Sequence, residues 1–130
     1  MKMKDLHSNI SPVAALGAVV VAATATSAAI DLQGFNSAEV IVNTGAIVGA
    51  GDFTTKIQES DTTTSGDFTD VAAENLNGAF PASLAADSVY RVGYTGAKRY
   101  IRTVTTKNGG TSIAAGIVVV RGHPNIAPVA

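Results

Sequence analysis

Two histidines are the readiest acid–base groups in this chain, and cysteine is absent. His7 lies among polar residues near the N-terminus and His123 precedes Pro124 near the C-terminus. Chain ends seldom hold preorganised catalytic groups, so both read as surface residues. Asp61, Thr63, Ser65, Gly66 and Asp67 match the first half of a calcium loop, where oxygen ligands alternate around a glycine. The closing bidentate glutamate would fall on Ala72, and no long helices flank the loop, so an ordinary polar hairpin loop is the better reading. Gly45, Gly49 and Gly51 fit neither a dinucleotide fingerprint nor a phosphate loop, since no helix follows to bind an anion; they read as flexible loop glycines. Lack of cysteine excludes disulfides, cysteine zinc sites and thiol catalysis, and suits assembly in a reducing cytosol. An enzyme is not expected, nor a metal or cofactor.

Charge placement carries more information than charge amount. Residues 52–74 hold Asp52, Glu59, Asp61, Asp67, Asp70 and Glu74 against Lys56 alone, a local net of −5. Residues 88–107 hold Arg91, Lys98, Arg99, Arg102 and Lys107 with no acid, a local net of +5. Neighbouring strands can pair such charges within one chain. Alternatively, the basic hairpin of one subunit meets the acidic loop of the next and closes a ring, which makes Tyr94, Lys98, Arg99, Tyr100, Arg102, Asp61, Asp67 and Asp70 interface candidates. Tyr90, Tyr94 and Tyr100 beside these arginines have the ingredients of single-strand nucleic-acid binding, but the overall charge of −1 argues against it.

The elements that must position these groups are short strands. Val, Ile and Thr total 38 of 130 residues, and side chains stiff at χ1 fit a pleated sheet. No apolar pattern holds a 3.6-residue period for three turns. Strands are expected over residues 16–23, 28–32, 38–43, 53–59, 68–72, 89–94, 99–106 and 113–120. Phe53, Thr55 and Ile57 alternate with Thr54, Lys56 and Gln58, the pattern of a half-exposed sheet. Residues 73–86 are the longest irregular stretch, with a single helical turn expected near 82–86. Thr95–Lys98 and Asn108-Gly109-Gly110 are read as the turns of two successive hairpins. The unbroken Ile117, Val118, Val119 and Val120 suggest a central strand buried on both sides.

The expected architecture is all-β: a single β-sandwich or jelly-roll-like domain over residues 13–121, with an extended N-terminal arm (1–12) and an extended C-terminal tail (122–130). With 22 Ala, 15 Val and only 15% charged residues, so bland a chain suits a subunit that hides surface in an assembly. Met1-Lys2-Met3-Lys4 followed by an apolar run has the outline of a secretory signal. Eight mostly polar residues intervene, however, and the run is Ala/Val rather than Leu-rich, so a polar arm and a buried strand are expected, with a cleaved leader as the alternative. The run is also well short of the roughly 20 residues a bilayer span needs.

The segments Phe53-Thr54-Thr55-Lys56-Ile57-Gln58-Glu59-Ser60-Asp61, Phe68-Thr69-Asp70-Val71, Tyr90-Arg91-Val92-Gly93-Tyr94-Thr95-Gly96-Ala97-Lys98-Arg99-Tyr100-Ile101-Arg102 and the Ala127-Pro128-Val129 ending resemble the decoration, or cement, proteins of tailed-bacteriophage capsids. The resemblance covers residues 31–130. It implies a β-rich homotrimer that is assembled in the host cytoplasm and clamps the major capsid protein at local threefold positions on the outer shell. Nucleic acid and membrane are not expected partners. Extended termini suit such a role, and Met3, Leu6, Ile10 and Pro12 are the arm residues expected to reach the capsid. A tail-tube or head-completion subunit, and a secreted β-sandwich binding module, are the competing readings.

Overall fold

A computed structural model of the protein describes residues 4–129. They form ten strands: β1 (Ile10–Val21), β2 (Ala25–Thr26), β3 (Ile30–Asp31), β4 (Phe35–Val48), β5 (Asp52–Ser60), β6 (Thr69–Asp70), β7 (Leu76–Asn77), β8 (Val89–Tyr94), β9 (Tyr100–Gly109) and β10 (Ser112–Pro124). Single 3-10 turns occupy His7–Asn9, Ser65–Asp67 and Ala73–Asn75, and there is no α-helix among the described residues. One sheet has the order β1-β10-β4-β8-β7; the other has β2-β9-β5-β6, with β3 also on β9. All pairings are antiparallel. The chain changes sheet after β1, β3, β4, β6, β8 and β9, which is the winding of a jelly-roll sandwich.

Alternation builds the core. Val40 and Val42 on β4, Val92 on β8, and Ile113, Ile117 and Val119 on β10 face Phe53 and Ile57 on β5 and Ile101 on β9. Each such side chain taken fully out of water contributes about 1.5–3 kcal/mol. The inner face of the second sheet also carries Thr55, Thr103 and Thr105, all buried. Thr55 and Thr105 are cross-strand partners whose hydroxyls bond each other at 3.1 Å, so the polar atoms are satisfied in place.

The sandwich corrects several expectations. β8 matches 89–94 and β5 extends 53–59 by one residue at each end, but β1 begins at Ile10 and β4 runs for 14 residues. The helical turn lies at Ala73–Asn75, not near 82–86. Neither expected hairpin exists, because β8 and β10 belong to one sheet and β9 to the other. Turn chemistry marks where a chain reverses and is silent about whether it stays in the same sheet. β10 is central in its sheet, yet Val118 is 39% exposed and only Ile117 and Val119 face the core. A run of apolar residues reads as two-sided burial; here one side faces outward.

Glycine is required at the corner where β4 passes to β5 beside the β9-to-β10 crossing. A Cβ on Gly51 would overlap the Ser112 carbonyl, and one on Gly110, at φ +71°, would overlap the Ala50 carbonyl. Two crossings touch backbone to backbone, so these glycines are close-packed parts of the frame and not flexible loop.

Candidate functional site

The two charged segments meet each other within one chain. Crossing from β8 to β9, the chain passes the end of β5 in the second sheet, which brings Lys98 Nζ to 3.0 Å from Asp61 Oδ2. Arg99 forms a two-pronged bond with Asp31, Nε donating to Oδ1 at 3.0 Å and Nη2 to Oδ2 at 2.9 Å. That guanidinium holds the Asp31 carboxyl below the usual carboxylate range. Arg99 also lies over the Tyr100 ring, 4.9 Å from its centroid. Arg102 donates to Gln58 and Ser65 and covers the ring of Phe68 at 4.4 Å. Asp70 accepts from Gln58 at 2.9 Å and pairs with Lys56 at 3.0 Å, and the Gln58 bond is the larger cause of its lowered pKa. Asp67 accepts from the Thr62 hydroxyl at 2.6 Å.

Tyr94 is a core residue at 4% exposure, which removes it as an interface candidate. Its hydroxyl donates to Glu59 Oε1 at 2.7 Å and accepts from the Lys98 backbone N–H at 3.0 Å. The remaining candidates, Asp61, Asp67, Asp70, Lys98, Arg99, Tyr100 and Arg102, are gathered at the β8-to-β9 crossing and along the outer side of the second sheet. Asp61 and Asp67 are engaged with Lys98 and Thr62, which leaves no calcium-like ring of free oxygens. Among the described residues no group of three or more His, Asp or Glu is placed to hold a metal.

A second feature lies at the pole where the termini meet. The His7–Asn9 turn is fixed by Asp5, whose Oδ1 accepts from the Ser8 N–H at 3.0 Å; that bond lowers the Asp5 pKa. The Val129 N–H donates to the Ser8 carbonyl at 2.8 Å, tying the two ends together. Asn36 donates to the His123 carbonyl and to Asn125 Oδ1, both at 2.8 Å, and Ser37 Oγ bonds His123 Nδ1 at 2.6 Å. These bonds hold His123 at φ +47°, an uncommon backbone state for a residue with a Cβ. Together these residues wall a groove of about 660 Å³, lined by Leu6, Ile10, Val120, His123, Pro124 and Ala127 among others. Leu6 (65% exposed) and Ile126 (82%) stand out at the same pole.

Of the arm candidates, Met3 lies outside the described residues. Leu6 is exposed before the first turn, but Ile10 and Pro12 are strand residues of β1, paired with Gly122 and Val120. The extended arm is therefore shorter than 1–12, and the tail shorter than 122–130, since β10 continues to Pro124. Pairing with β10 recruits Ile10 to Pro12 into the sheet, a long-range gain that local composition does not show.

No helix among the described residues is long and apolar enough to cross a membrane. No family model matches the chain, and no curated protein matches it. Among solved structures, the chain is similar to a crystal structure of PirA at 14% identity and a TM-score of 0.47, covering 94% of this chain and 100% of that one. It is also similar to structures of infectious bursal disease virus, Gx and Gt strains, each at 15% identity and a TM-score of 0.40 over 92% of this chain. The chain spans about a third of the length of those two viral chains, 33% and 34%.

Proposed function

We propose that this chain is a structural, non-catalytic virion protein that decorates the outer surface of a tailed-phage capsid by binding its major capsid protein. The observation that carries the reading is the terminal pole, where Leu6 and Ile126 project beside an apolar groove. Large apolar side chains exposed together, rimmed by polar groups, mark surfaces that another protein covers. Lys56, Lys98 and Arg99 are paired with carboxylates at the surface of the second sheet, so these cations are satisfied within the chain. The sequence resemblance to decoration proteins supplies the partner, and implies local threefold positions on the shell.

The test is binding of the purified chain to capsids that lack it, followed by electron microscopy of the particles. Added density on the outer shell, lost with Leu6→Asp combined with Ile126→Asp, is the expected result. Binding only to tails or to the portal end, or no binding to capsids, would overturn the reading. Both substitutions are at exposed positions, and a retained melting transition shows that the variant is folded.

A further inference from the structure

The outer faces of the two sheets differ. Pairing register places Ala14, Val118, Ile41 and Arg91 in one row across the first sheet, and Pro12, Val120, Glu39 and Gly93 in the next. Val20 and Val89 stand on the same face, 64% and 68% exposed. On the second sheet the matching outward positions are Lys56, Gln58, Arg102 and Asp70, a face made for water.

We infer that the outer face of the first sheet is a self-association surface, on which a second copy packs face to face about a twofold axis. A patch meeting its own like is isologous, and isologous contact requires a twofold. Glu39 and Arg91 are the charged groups on this face, in adjacent rows of neighbouring strands, and among the described residues neither forms an ion pair. One charge of each sign is self-complementary, because the twofold can set each Arg91 against the other copy's Glu39. Three strands of some ten residues and the six-residue β8, at about 4.8 Å between strands and about 3.4 Å per residue, make a face of roughly 590 Å² in plan. Valine relief raises its accessible area towards the ~800 Å² per partner of a stable interface. Ala14, and Ala114 opposite Val20, are the small residues on this face, whereas Gly116 is covered by Ala18 of the same chain. This inference does not rest on the capsid reading; it expects a twofold pair where the resemblance implies a trimer, and the mass in solution distinguishes the two.

The experiment is the mass of the purified chain in solution by light scattering across a dilution series, with melting curves to confirm folding. A dimer is expected. Val118→Asp should leave a folded monomer, whereas Lys56→Gln on the opposite face should leave the dimer intact. Arg91→Glu and Glu39→Arg should each raise the dimer dissociation constant at least about tenfold by placing like charges together. The double variant should restore it, because reversing both signs restores self-complementarity. A monomer at millimolar concentration, a trimer, a dimer indifferent to Arg91→Glu, or a double variant no better than the singles would overturn the inference. Capsid binding by a monomeric Val118→Asp variant would leave the proposed function standing while the twofold pairing is read separately.

Discussion

The Tyr94 hydroxyl, at the end of β8 in one sheet, donates a 2.7 Å hydrogen bond to the Glu59 carboxylate on β5 in the other. The same oxygen accepts the Lys98 N–H, so one side chain joins both sheets to the loop that crosses between them. Gly96 lies against the ring: a Cβ there would come within 2.6 Å of Tyr94 Cζ. The crossing is thus wrapped around the phenol.

Burial, then the Glu59 carboxylate, push the Tyr94 phenol well above its ordinary value. In the unfolded chain a tyrosine ionises near pH 10, so the native state keeps a proton that the unfolded state releases. Stability from this group is fully present below about pH 10 and declines above it. Tyr94→Phe should remove that part of the alkaline decline and cost about 1–2 kcal/mol at neutral pH, as measured by urea unfolding at pH 7 and pH 11.

Asp31 has a depressed native pKa, chiefly through its bond to Arg99. Its contribution is present above about pH 4 and is lost as pH falls through the native value. Asp31→Asn should lower stability at pH 7, with the gap from the parent closing in strong acid. Thermal melts from pH 2 to pH 7 read this directly, and a gap that stays constant would contradict it.

Thr55 and Thr105 offer a test of paired polar burial. Thr105→Val strands the Thr55 hydroxyl in the core and should cost about 1–3 kcal/mol, whereas replacing both by Val should be nearly neutral. Denaturant unfolding of the two singles and the double gives the coupling.

Glycine at the two touching crossings can be compared with glycine in open space. Gly110→Ala meets both a positive φ and the Ala50 carbonyl, and should cost about 3 kcal/mol or more. Gly17, with nothing near its missing Cβ, should accept Ala without loss. Melting temperatures of the two variants should separate clearly.

Composition and alternation were enough to identify an all-β sandwich, to locate β5 and β8, and to divide Phe53, Thr55 and Ile57 from Thr54, Lys56 and Gln58. They sufficed because the twofold period of a strand is written into consecutive residues, and β-branched side chains favour it wherever they occur. Sequence also separated the two charged segments and left open whether they meet in one chain. Only the tertiary structure decided that they do, because the chain changes sheet after β8 and β9 then pairs with β5, which sets Lys98 beside Asp61, a placement that no local signal encodes. The same cause turned two expected hairpins into crossings and placed Val118 on an outer face while Ile117 and Val119 went inward. Which sheet a strand joins is settled by long-range pairing and core packing, and those energies belong to residues far apart in the chain.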